Sequence, residues 1–148
     1  MIKALIASLA LSTLCIPQVK ASTYTHGDLL AQFEDMGGRV YIDSELCDKY
    51  NAYGIQNGAS IHLCTEPHKG DKAEWEDTIR HEIWHVVQMC NKGPLSGSAA
   101  WMISQAYSKG WSERGYDPDV WHIEAEADYV AKTRSPKEIS NALIKHCS

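Results

Sequence analysis

The segment on which the fold turns is Asp71-Lys72-Ala73-Glu74-Trp75-Glu76-Asp77-Thr78-Ile79-Arg80-His81-Glu82-Ile83-Trp84-His85-Val86-Val87-Gln88-Met89-Cys90-Asn91-Lys92-Gly93-Pro94. Asp71 followed three residues later by Glu74 predicts a capping box, with Asp71 as N-cap and Glu74 reaching back. Gly93-Pro94 predicts the end, a glycine past the last turn and then a stop. Between these marks Ile79, Ile83, Val86 and Val87 recur at helical spacing, so one long helix with an apolar face is expected.

Mid-helix stands His81-Glu82-Ile83-Trp84-His85. Histidines four apart project from one face, so both rings can bind the same Zn2+. Glu82 follows the first and is placed to act as general base on a metal-bound water rather than as a ligand. A polar stripe on a surface helix is the bland alternative, but the motif sits inside an apolar pattern. A catalytic zinc normally takes a third protein ligand and keeps one open position. Glu124-Ala125-Glu126-Ala127-Asp128 offers it. Glu124 and Asp128 share a face, which makes Glu124 the third ligand and Asp128 a hydrogen-bond acceptor for a zinc-bound ring. Glu126 points roughly 200° around the helix from Glu124 at about 100° per residue, so it is assigned no part in the site.

Working outward, residues 29–36 carry apolar side chains on one helical face, ended by Gly37-Gly38. Residues 40–42 and 60–64 read as short strands, expected to form an antiparallel pair stapled by a disulfide. Residues 99–107 suit a helix ended near Gly110. Asp117-Pro118 starts another that runs to about Thr133, and Ser135-Pro136-Lys137-Glu138 caps a last one ending near Cys147. The class is α+β: several helices, with a small antiparallel sheet ahead of the long helix.

The chain has 148 residues and a formal net charge of −5. That length suits a single domain, and the acidic balance argues against a nucleic-acid partner, which needs a basic face. Lys3, an uncharged apolar run over residues 4–16, and Val19-Lys20-Ala21 have the layout of a secretory signal peptide, residues 1–21, too short to span a membrane. Without it, residues 22–148 form the domain, export to the periplasm or outside is expected, and no membrane span remains. Loss of Lys3 and Lys20 takes the charge from −5 to −7. Four cysteines then remain of five, which in an exported chain predicts two disulfides. Of three connectivities, Cys47–Cys64 and Cys90–Cys147 are expected, a local loop closure plus a tie from the C-terminus to the middle. A four-cysteine zinc site is disfavoured because C-x2-C spacing is absent.

His81-Glu82-x-x-His85 followed by Glu124-x-x-x-Asp128 resembles the zincin metallopeptidases of the gluzincin type. The resemblance covers the two site helices. The rival subgroup H-E-x-x-H-x-x-G-x-x-H does not fit, since Gln88 and Asn91 stand where its Gly and His would be. The resemblance implies a minimal zincin-like core, with an edge strand above the long helix that pairs with an extended peptide or protein substrate; residues 60–64 are expected to be that strand. It implies one Zn2+ on His81, His85 and Glu124, which lowers the pKa of a bound water and polarises the scissile carbonyl. It implies also a donor for the developing oxyanion, for which Tyr116 and then His122 lead, ahead of Tyr129 and Tyr107. Two rivals stand beside peptide hydrolysis: a zinc-binding exported inhibitor or interaction module without turnover, and a hydrolase of cell-wall amides. His62 and His68 are expected at surface or second-sphere positions. The tryptophans are expected in the core, with Trp111 able to line a pocket.

Overall fold

Side-chain caps set where most of the helices begin. In the computed structural model, which describes residues 23–113 and 115–148, the expected signal peptide lies outside the described residues. Reciprocal capping boxes, Thr25 with Asp28 and Ser135 with Glu138, start α1 (His26–Asp35) and α7 (Pro136–Cys147). Ser98 caps α5 (Ala99–Ser108), and Asp117 caps a 3-10 turn, Pro118–Val120, that leads into α6 (Trp121–Thr133). The long helix α4 (Lys72–Asn91) is capped from one side only: Asp71 accepts from the Ala73 and Glu74 amides at 2.9 and 3.1 Å. Its left-handed terminal residue is Lys92, at φ 60°, one position before the glycine that the sequence pattern marks.

Two short helices, α2 (Glu45–Tyr50) and α3 (Thr65–His68), frame a sheet of β1 (Arg39–Ile42), β2 (Gly54–Asn57) and β3 (Ser60–Leu63). The α+β class and the small sheet ahead of the long helix are as expected; the pairing is not. The order is β1-β3-β2, with β1 parallel to β3 and β2 antiparallel to it. The sheet is therefore mixed, and residues 60–64 supply its central strand instead of an edge. Burial explains the centre: Ile61 and Leu63 are fully buried on one face, and His62 is covered on the other. The edge facing α4 is β2, joined to β3 by a two-residue loop in which Gly58 takes φ 58°. Ile55 is the one aliphatic side chain of Gly54-Ile55-Gln56-Asn57, so no alternation betrays this strand in the sequence.

His62 and His68 are both buried, against the surface reading, and neither lines the cavity between β2 and the helices α4 and α6. His62 stacks on Tyr41 and lies 2.8 Å from the Ser44 hydroxyl. His68 bridges the Cys64 carbonyl and the Thr78 hydroxyl at 2.6 and 2.8 Å, tying α3 to α4. The main core joins Leu29 and Phe33 of α1, Ile61 and Leu63 of β3, Ile79, Ile83 and Val87 of α4, Val130 of α6, and Ile139 and Leu143 of α7. A second cluster packs Met102 and Ala106 of α5 against Ala125 of α6 and the loop residue Trp111. Trp84 is buried and Trp75 partly so, whereas Trp101 is exposed.

Both expected disulfides are formed. Cys47–Cys64 holds α2 to the end of β3, and Cys90–Cys147 joins the ends of α4 and α7. Closing loops of 17 and 57 residues restricts the unfolded chain by about 3 and about 4 kcal/mol. No helix among the described residues is long and apolar enough to cross a membrane.

Candidate metal centre

α4 and α6 pack against each other, and their facing turns bring three side chains to one point. His81 and His85, one turn apart on α4, hold their Nε2 atoms 2.9 Å apart. Glu124 of α6 places Oε2 3.3 Å from His81 Nε2 and 3.5 Å from His85 Nε2. The set of one atom from each residue lies within 4.8 Å, the only such group found among the described residues. Zinc at about 2.0–2.1 Å from nitrogen or oxygen in a tetrahedral site puts its ligands roughly 3.3 Å apart. The observed triangle, two imidazole nitrogens and a carboxylate oxygen, therefore fits one face of such a tetrahedron. All three residues line a cavity of about 850 Å³.

That cavity lies between β2 and the two site helices and is lined by Gly54, Ile55, Gln56, Glu82, Tyr116 and Asp128 besides the three ligand candidates. Glu82 is buried beside the histidines. Burial pushes its carboxyl up, and the Glu124 charge adds to this; His81, His85 and the Gln56 backbone amide pull the other way, and the net shift is upward. The strand runs so close that a Cβ at Gly54 would stand 2.6 Å from Glu82 Cγ and 2.7 Å from its Oε1. A glycine is thus required where β2 crosses the carboxylate.

Burial alone would raise the Glu124 carboxyl, but hydrogen bonds and charge from His81 and His85 overcome it and hold it at about 2. For His85 burial works downward and is outweighed by Glu124, Glu82 and Gln88, leaving the ring raised. Tyr116 is pushed up to about 12 by burial and by the carboxylates of Glu124, Asp128 and Glu82, so its hydroxyl keeps its proton. It stacks on Trp111, which is buried beneath it.

His122, the second residue expected to hold an oxyanion, is half-buried and does not line the cavity. Tyr107 is exposed and bonded to Glu113, and Tyr129 packs against the core. Asp128 lines the cavity but makes no hydrogen bond to a histidine ring: Oδ1 pairs with Lys132, and Oδ2 is buried without a partner. The ring partner belongs instead to Gln88, whose Oε1 lies 2.8 Å from His85 Nδ1. Behind it stands Glu126, fully buried, accepting from Gln88 Nε2 at 2.6 Å and Trp84 Nε1 at 3.1 Å. Its other oxygen accepts from the Leu95 and Ser96 amides at 2.8 and 2.6 Å. Gln88 is legible in the sequence only as a polar residue three positions after His85 on the same helix face. Glu126 carries no local signal, because its partners lie 30 to 42 residues away.

No curated protein and no solved structure matches this chain. Residues 19–148 match the model of a family described as a domain of unknown function, DUF8637, and the chain belongs to that family.

Proposed function

We propose that this protein is an exported zinc-dependent metallopeptidase with Glu82 as general base. The observation that carries the reading is the convergence of His81, His85 and Glu124 beside a buried glutamate at the wall of one cavity. Zinc held by the three would supply Lewis acidity to a water and to the scissile carbonyl. Glu82 takes a proton from the attacking water as its oxygen bonds the carbonyl carbon, and passes it to the amine nitrogen as the C–N bond breaks. The upward shift makes its carboxylate a stronger proton acceptor than an exposed glutamate. Tyr116, protonated throughout, donates to the oxygen on which charge develops. β2 is an edge strand bordering the cavity, and the backbone groups of its outer side other than the Gln56 amide, which meets Glu82, offer an extended peptide a strand to pair with. Asp71 and Glu74 at the cavity wall, in no ion pair among the described residues, favour peptides with basic side chains.

The test combines metal analysis with cleavage assays on lysine-rich peptides and on purified cell-wall sacculus, for wild type and Glu82→Gln. One zinc per chain is expected in both, with cleavage falling by about 10²–10⁴-fold in the variant. Equal activity would overturn the general-base role. Stoichiometric zinc without turnover on either substrate would favour a binding module, and release from sacculus alone would identify a cell-wall amidase.

A further inference from the structure

His85 is held by a chain of side chains whose hydrogen-bonding roles can be assigned one by one. Gln88 Nε2 lies 2.6 Å from Glu126 Oε2 and 3.0 Å from the Ile123 carbonyl oxygen. The other three neighbours of the Glu126 carboxylate, Trp84 Nε1 and the Leu95 and Ser96 amides, are N–H donors, so both of its oxygens accept, and the Ile123 carbonyl can only accept. The end of the Gln88 amide that faces Glu126 and Ile123 must then be its NH2, and its oxygen must be the end facing His85 Nδ1 at 2.8 Å. An amide oxygen only accepts, so His85 Nδ1 carries the ring proton. In the neutral ring Nε2 then keeps the lone pair, on the side facing His81 Nε2 and Glu124 Oε2.

We propose that Gln88 and Glu126 are positioning residues that lock His85 in its Nδ1–H tautomer and so prepare Nε2 as a metal ligand. Glu126 also fixes the 93–98 loop through the Leu95 and Ser96 amides, so the same buried carboxylate holds the loop and the ligand. The commoner tautomer of free histidine carries its proton on Nε2 and would present no lone pair there. The proposal rests on His81, His85 and Glu124 being metal ligands, but the tautomer can be read without metal.

The experiment is long-range proton–nitrogen NMR on the zinc-free protein with nitrogen-labelled histidine, at a pH alkaline enough to leave the rings neutral. In wild type, His85 Nδ1 is expected to resonate as a protonated, pyrrole-type nitrogen and Nε2 as a pyridine-type one. Gln88→Met, close in shape and without the acceptor, is expected to mix the tautomers and weaken zinc binding by about 10–100-fold while near-ultraviolet circular dichroism stays unchanged. A proton on Nε2 in wild type overturns the lock, and so does a Gln88→Met protein with wild-type tautomer and zinc affinity. Should Gln88→Met fail to fold, the wild-type spectrum decides. Absence of zinc binding by wild type would defeat the metallopeptidase reading, while the spectrum would still report on the lock.

Discussion

Glu124 and Glu126 stand two residues apart on α6, separated by one alanine, and share almost nothing else. Glu124 faces the cavity, meets two imidazoles and is held at about 2. Glu126 is sealed in the interior and accepts four N–H groups, two from side chains of α4 and two from the backbone of the 93–98 loop. One glutamate is oriented toward the histidine pair and the other toward the framework that holds Gln88, the partner of His85. The helix turn of about 100° per residue separates the two faces, and the packing of α4 on α6 gives each face its task.

Glutamine at each position breaks the comparison in opposite ways, and this is the largest effect expected. Glu124→Gln removes an anionic ligand: zinc affinity should fall by at least about 10²-fold, beyond the loss typical of a group one layer out. At low pH, once the wild-type carboxyl is protonated as well, the stability of its metal-free form should stay within about 1 kcal/mol of wild type. Glu126→Gln turns an NH2 toward at least two N–H donors whichever way its amide points. Its unfolding free energy should fall by about 2–4 kcal/mol, measured as a lower denaturant midpoint at unchanged slope. A Glu126→Gln protein as stable as wild type would show that the four bonds carry little.

A third glutamate sharpens the contrast, with a smaller change. Glu82 belongs to neither pattern, because it is fixed by the backbone of β2 crossing over it. Gly54→Ala inserts a methyl group into that crossing, and the flexible carboxylate is the group that must move. Zinc content should be retained while turnover drops, with a stability loss of about 1–3 kcal/mol. Full turnover in Gly54→Ala would mean that Glu82 does not need its observed position.

The smallest effect is a pH dependence. Glu124 is depressed from 4.5 to about 2 in the fold. A lowered carboxylate contributes stability above its unfolded value, and that contribution is lost as pH falls through the folded one. The metal-free wild type should therefore lose stability between pH 4.5 and about 2 more steeply than Glu124→Gln, as measured by thermal unfolding across that window. Parallel curves for the two proteins would argue against the Glu124 pairing with the histidines.

Features encoded at short range are the ones that read correctly from the chain. The caps at Asp71 and Ser135, the one-turn spacing of His81 and His85, and the shared face of Glu124 with Asp128 all follow from helix geometry. The two disulfides follow from an even count and the economy of closing one short and one long loop. Long-range choices read less well. Asp128 has the spacing to reach a ring, yet Lys132 one turn later takes one oxygen and the other meets no donor. His62 and His68 looked like surface residues because nothing near them in sequence forecasts Tyr41, Ser44 or Thr78 as cover.

The sequence by itself determined that His81 and His85 share a face, that Glu82 stands beside them and that Glu124 and Asp128 share another, since an α-helix converts spacing into direction without help from the rest of the chain. Only the tertiary structure decided which strand borders the cavity, which residue holds His85, and what Glu126 is for. Those outcomes depend on the order β1-β3-β2 and on the contact of α4 with α6 and the 93–98 loop. Strand order and helix packing are set by burying many side chains at once, and no local pattern of residues records that sum.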